Sequence, residues 1–177
     1  MRFFTPELYL RYNSADDADA DRADEDWERA IREYKDHLSK FSKEMSSRVK
    51  DLAENLCLHD AELLSLQEDT LESSGLPIFP VSVAIVSLKK DSKIVIIIYS
   101  LGSKVVQSRP LEEWPFSKLR THWLYDEIDL EKQRPYLYWH RILLSDGRVI
   151  SIPFVDVIVQ AFSEQNPETA ITSLRRA

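Results

Sequence analysis

One cysteine, three glycines and a deficit of positive charge set the first limits on this 177-residue chain. A lone Cys57 forms no intramolecular disulfide and no cysteine-based zinc site. Flanked by Leu56 and Leu58, it is expected as a buried, inert thiol. So little glycine leaves no Gly-rich phosphate loop, and neither Gly-x-Gly-x-x-Gly nor Gly-x-Ser-x-Gly occurs. With 30 acidic and 23 basic residues the net charge is −7. That is the wrong sign for a phosphate backbone, and the basic clusters are short (Lys89-Lys90, Arg175-Arg176), so no nucleic-acid partner is expected. No run reaches the roughly 18 apolar residues of a membrane span. The start, Met1 to Glu7, lacks the apolar core of about 7–15 residues that a signal peptide carries. A cytoplasmic protein with no membrane partner is the expectation.

Metal and cofactor signatures are missing too. His59, His122 and His140 occur without His-x-His or His-Glu-x-x-His spacing. Asp17, Asp19 and Asp21 with Glu28 imitate a calcium loop, but Arg22 stands where the sharp turn requires glycine. Neither a metal nor a cofactor is expected, and no catalytic residue is assigned.

What the chain does have is pattern. Thr5-Pro6 reads as the cap and first turn of a short helix. Residues 13–26 form an acidic run, its first half expected as a solvated loop. From Trp27 through Ile31, Tyr34, Leu38, Phe41, Met45, Val49 and Leu52 to Leu56, apolar residues recur every three or four positions, one face of a helix. Straight, it would span roughly 45–50 Å at 1.5 Å per residue. Ser42, Ser46 and Ser47 predict a break, giving two helices or one kinked helix. The stripe packs on a sheet or serves as a partner-binding seam.

Beyond Asn55 the period becomes two. Strands are predicted at 57–66, at 81–88 and 93–100 as a hairpin, and at 103–108, 121–130 and 136–145. Asp146-Gly147, the dipeptide of two-residue hairpins, leads into 148–152. Residues 154–162 read as a short helix or a last strand, and 67–80 as a loop. Both faces of 93–100 are apolar, so both need cover. The sum is one α+β domain over 1–177. A helical segment (1–56) packs on a mostly antiparallel, hairpin-rich sheet of five to seven strands (57–162), and a polar tail follows (163–177). Without β-α-β alternation a doubly wound nucleotide fold is not expected.

Charges interrupt three of the apolar segments: His59-Asp60 and Glu62, Asp126-Glu127, and His140-Arg141. Unpaired charges there cost several kcal/mol, roughly, so they should meet, either as a structural ion-pair network or as a site. A two-residue Asp146-Gly147 loop sets Leu143 opposite Ile150, Arg141 opposite Ile152 and Trp139 opposite Phe154. Arg141 then lies on the apolar face and needs a buried carboxylate, with Asp60 or Glu127 favoured. The candidate binding residues are His59, Asp60, Asp126, Glu127, His140 and Arg141.

Four phrases carry a resemblance: Met1-Arg2-Phe3-Phe4-Thr5, Leu58-His59-Asp60-Ala61, Trp123-Leu124-Tyr125-Asp126-Glu127, and Tyr138 to Leu144. Their order is similar to that in a bacterial family of unknown function whose members begin Met-Lys/Arg-aromatic-Phe-Thr. Such members carry a His-Asp strand, then Trp-Leu-Tyr-Glu-Glu, then an aromatic strand with His and Leu-Leu. The phrases cover about a quarter of the chain. Asp126 departs from the family's glutamate, and Arg141 beside His140 is no family feature. The resemblance implies a small cytoplasmic bacterial protein with no established activity. Compact acidic α+β proteins also include immunity proteins, an analogy of fold alone. Two functions are therefore expected in competition. One is a non-enzymatic protein-binding module, with a protein partner or a homodimer. The other is a small-ligand protein or hydrolase with a polar pocket of Asp60, Glu127, His140 and Arg141.

Overall fold

The computed structural model describes residues 1–71, 81–112, 114–116, 119–133 and 136–163. The expected tail after Ser163 and most of the expected loop at 67–80 lie outside the described residues. The helices are α1 (Pro6–Tyr12), α2 (Asp17–Ser39) and α3 (Ser47–Glu54). The strands are β1 (Glu62–Leu71), β2 (Val81–Lys90), β3 (Lys93–Leu101), β4 (Val106–Gln107), β5 (Trp123–Gln133), β6 (Tyr136–Leu144) and β7 (Val149–Ser163). All described pairings are antiparallel, in the order β1-β2-β3-β7-β6-β5, with β4 beside β7. This is an α+β fold with N-terminal helices packed on the sheet.

The helices start where side chains can satisfy free backbone N–H groups. Thr5 accepts from Leu8, Asp16 from Ala18 and Ser46 from Val49. The break falls within the predicted interval, where turns from Lys40 to Glu44 separate α2 from α3. The acidic run, however, is helical from Asp17, so little of its first half is the solvated loop that was expected. Asp16 caps it, Asp17 and Asp19 favour its positive end, and Ala23 is fully buried. Arg11 of α1 then binds Asp19 at 3.2 Å and Asp26 at 2.9 Å, locking the two helices together.

The sheet curls around one core. Val86 and Leu88 of β2, Val95 and Ile97 of β3, Ile150, Ile152 and Phe154 of β7 and Ile142 of β6 share it with Val49 and Leu52 of α3. The edges meet at one end through the Glu62–His122 bridge and backbone bonds from Asp60 to Trp123 and from Trp123 to Ala61, both 2.8 Å. The first strand therefore begins at Glu62, later than expected, because Leu58 to Ala61 are spent on a turn. Residues 154–162 are strand, the continuation of β7. Pro153, with no N–H to give, sits where β7 changes neighbour from β4 to β3.

Register brings the main correction. The last hairpin has a three-residue loop, Ser145 to Gly147, closed by Gly147 N–H donating to the Leu144 carbonyl at 2.9 Å. Gly147 takes φ +83°, and Asp146 keeps a negative φ. Asp146 uses its carboxylate to accept from the Arg148 backbone at 3.1 Å and its guanidinium at 2.8 Å, which favours an ordinary turn followed by a left-handed glycine over the two-residue loop. Trp114 also lies over Gly147, its nearest ring carbon 2.5 Å from where a Cβ would stand. Arg141 thus faces Ser151, and His140 faces Ile152. A shift of one residue exchanges the two faces of a strand. His140 goes to the core and Arg141 to the outside.

Candidate functional site

The six candidate residues divide among four places. Asp126 and His140 meet on the inner face of the sheet. His140 is fully buried, and its Nε2 lies 2.9 Å from Asp126 Oδ2. Its Nδ1 is 2.9 Å from the Tyr99 hydroxyl, and Trp123 Nε1 donates to Asp126 Oδ1 at 2.8 Å. One proton assignment satisfies all four groups: Tyr99 O–H gives to Nδ1, and Nε2–H and the indole N–H give to the carboxylate. The order tyrosine–histidine–aspartate looks catalytic, but Tyr99 and His140 have no exposed surface. The network meets solvent at the Asp126 carboxylate, whose side chain is part-exposed, while its other members are packed in the core.

Glu127 faces the other way and is 2 % exposed. Its two oxygens accept the backbone N–H groups of Arg2 at 2.5 Å and Phe3 at 2.9 Å. It clamps the start of the chain onto β5, where Phe3 and Phe4 pack with Trp27 and Ala30.

Arg141 is partly exposed, over the Trp139 ring at 5.6 Å and 3.5 Å from Asp129. Its expected deep burial against Asp60 or Glu127 does not occur, because the register differs. Asp129 also holds His37 of α2 at 2.9 Å. Arg141→Met is accordingly expected to cost less than about 1 kcal/mol, the range of a surface ion pair, as read from a denaturant midpoint. A loss several times larger would put Arg141 back in the core.

His59 and Asp60 occupy the turn before β1. Asp60 has φ +64°, a left-handed conformation. Its side chain is 74 % exposed and meets the His59 ring at 3.4 Å. His59 Nδ1 lies 2.5 Å from the Leu124 carbonyl, and its ring packs 4.8 Å from Tyr125. Cys57, expected to be buried, is exposed at the entry to this turn, because Leu58 takes the core position. Lys90 Nζ stands 3.8 Å from its sulfur and 2.7 Å from the His59 carbonyl.

The four sequence phrases that carry the resemblance form one contiguous structure. Glu127 holds Arg2 and Phe3, the turn at Leu58 to Ala61 pairs with Trp123, His59 covers Tyr125, and Asp126 holds His140. Sequence reasoning missed Tyr99, Asp129 and the aromatic residues around Tyr125. Tyr99 was legible only as one more apolar residue in β3. Among the described residues no three His, Cys, Asp or Glu side chains stand together as metal ligands. No described helix is long and apolar enough to cross a membrane. No protein-family model matches the chain, and no curated protein sequence matches it.

Proposed function

We propose that this chain is a non-enzymatic protein-binding module that docks a basic partner protein on the outer face of β2, β3 and β7. The observation that carries this reading is a second apolar face. The register sets Ile85 beside Ile98 and Ile98 beside Ile158, with Ile96 and Ile94 along the same side of β3 and Phe162 opposite Ile94. None of these six belongs to the three described hydrophobic clusters or packs against them. Ile158 is 43 % exposed. An apolar strip beyond what folding uses is a surface for association. The net charge of −7 selects a basic partner and speeds its approach. A cytoplasmic immunity-type protein of the bacterial family resembled above fits this reading.

Paired affinity captures test it, with wild type and an Ile96→Glu/Ile98→Glu variant side by side, at low and high salt. The expected result is a basic protein retained by wild type, lost by the folded variant and weakened by salt. A wild type that retains nothing the variant does not, and that stays monomeric by light scattering, ends the proposal. The competing pocket of Asp60, Glu127, His140 and Arg141 has less support. One member is sealed, one is occupied by the chain's own start, and the other two lie on separate elements.

A further inference from the structure

Where the segment leading into β5 passes under α1, the chain encloses a cavity of about 450 Å³, a size typical of small-molecule sites. Tyr9, Phe116, Arg120, His122 and Leu124 line it. Its backbone frame is pinned from two sides. The Leu63 N–H donates to the Thr121 carbonyl at 2.7 Å, and the His122 N–H donates to Ser145 Oγ at 2.8 Å. The Ser145 N–H returns to the His122 carbonyl at 2.8 Å, and Trp114 Nε1 donates to the Ser145 carbonyl at 2.9 Å. Thr121 gives its hydroxyl to Asp146 at 3.2 Å, and Trp123 is buried in the core. The residues that alternate with these two, Arg120, His122 and Leu124, turn to the cavity instead.

The floor is apolar. Leu124 is buried in one hydrophobic cluster with Trp114, and Tyr9 and Phe116 pack against that cluster. Phe116 meets Tyr9 at 5.5 Å and Trp114 at 5.3 Å, both edge to face, so the rings hold one another in place. The rim is basic, in a chain whose net charge is −7. Arg120 Nη1 lies 3.7 Å from Glu62 Oε2, an ion pair too long to be a hydrogen bond, and its side chain is 73 % exposed. The guanidinium fork therefore keeps donors for a second carboxylate. The half-buried His122 ring carries an N–H in either tautomer and bonds no other side chain among the described residues.

We infer that this cavity binds a small carboxylic acid built on an aromatic ring, with the ring against Phe116 and Leu124 and the carboxylate on Arg120 and His122. An apolar floor with a few convergent polar groups at its rim orients a ligand that is apolar at one end and charged at the other. A carboxylate matches the planar guanidinium and takes a further hydrogen bond from the imidazole. Inorganic anions have no body to cover the floor, and an amine meets a like charge at Arg120. The site is built from α1, β5 and the segment before it. It stands whether or not the apolar face of β2, β3 and β7 docks a partner.

The test is an NMR titration of the full chain with phenylacetate, with benzyl alcohol, benzylamine and acetate as comparison probes. The expected result is saturable shifts at the Phe116 and His122 ring protons and the Leu124 methyl groups, with phenylacetate binding most tightly. Arg120→Gln changes an exposed side chain, so its melting temperature should match wild type. Its affinity for phenylacetate should fall about threefold to tenfold, while the weaker binding of benzyl alcohol stays the same. Arg120→Lys, which keeps the charge and loses the fork, should fall between the two. Benzylamine binding as tightly as phenylacetate, an Arg120→Gln protein that binds phenylacetate like wild type, or no saturable shift at these residues would each overturn the assignment. None of these outcomes bears on the partner-capture experiment.

Discussion

Glu127→Ala is expected to lower stability by about 3–5 kcal/mol and to release the first residues of the chain. The carboxylate is buried and accepts two backbone N–H groups, from Arg2 and Phe3. Removing it strands both donors and leaves a void beneath them. The aromatic contacts that follow depend on the same anchor. Phe3 lies 5.5 Å from Tyr34, and Phe4 lies 5.4 Å from Trp27 and 5.9 Å from Tyr125. Glu127→Gln is nearly isosteric but must point an NH₂ group at an N–H donor, so it should recover only part of the loss. Denaturant midpoints measure the stability. Hydrogen exchange at the Arg2 and Phe3 amides measures the release, protected in wild type and fast in the variant. A Glu127→Ala protein with an unchanged midpoint and protected amides would mean that the clamp does not hold the chain in solution.

Glu127 also marks the boundary of what a sequence can say. A glutamate in an apolar strand signals a buried partner, and that much was legible. Its partners are backbone N–H groups at the far end of the chain, which every residue but proline possesses, so no side-chain pattern identifies them. Asp126 and His140 were each legible as polar residues in apolar strands, but not as partners of one another, because the pairing expected there was Arg141 with Asp60 or Glu127. The hairpin of β2 and β3 followed directly from its period and its polar turn. The helix break followed from the serines at 42, 46 and 47. Arg141 was misplaced through a single loop residue. Asp-Gly suits a two-residue hairpin, but here Arg148 sits where it can capture the Asp146 carboxylate, and that contact selects the longer loop. Because side chains alternate, this one residue decided whether histidine or arginine entered the core. The acidic stretch of α2 was read as solvated because its charge masked its alanines. Cap geometry and Arg11, which the run itself does not contain, make it helical.

Two buried phenols should make the protein fail steeply in alkali. Tyr99 has no exposed surface, and burial, reinforced by the Asp126 charge, holds its hydroxyl well above the ordinary value. Tyr34 reaches from α2 to accept the Ile128 N–H at 2.8 Å. Burial again dominates there. The Ile128 hydrogen bond, the next largest influence, opposes it, and the charges of Asp126, Glu127 and Asp129 add to it. In both cases the folded state binds the phenolic proton more tightly than the unfolded chain does. Below the unfolded pKa, near 10, both states are protonated and the contribution is intact. Above it the unfolded chain has lost protons that the fold still holds, so stability falls by about 1.4 kcal/mol per pH unit for each phenol. The two slopes add, so stability falls more steeply with pH above 10 than a single phenol would make it. Unfolding free energies measured by denaturant from pH 9 to 12 should show this slope. Tyr34→Phe should make it shallower by one phenol's share, even though the orphaned Ile128 N–H lowers stability at neutral pH by about 1–2 kcal/mol. The slope and the level therefore separate. A variant that loses stability at neutral pH but keeps the full alkaline slope would show that Tyr34 titrates freely and that its hydroxyl is not held against β5. If instead the slope becomes shallower, α2 closes the free edge of β5 with a neutral phenol, and burial of the kind that hides Tyr99 behind His140 contributes to the alkaline limit of the fold.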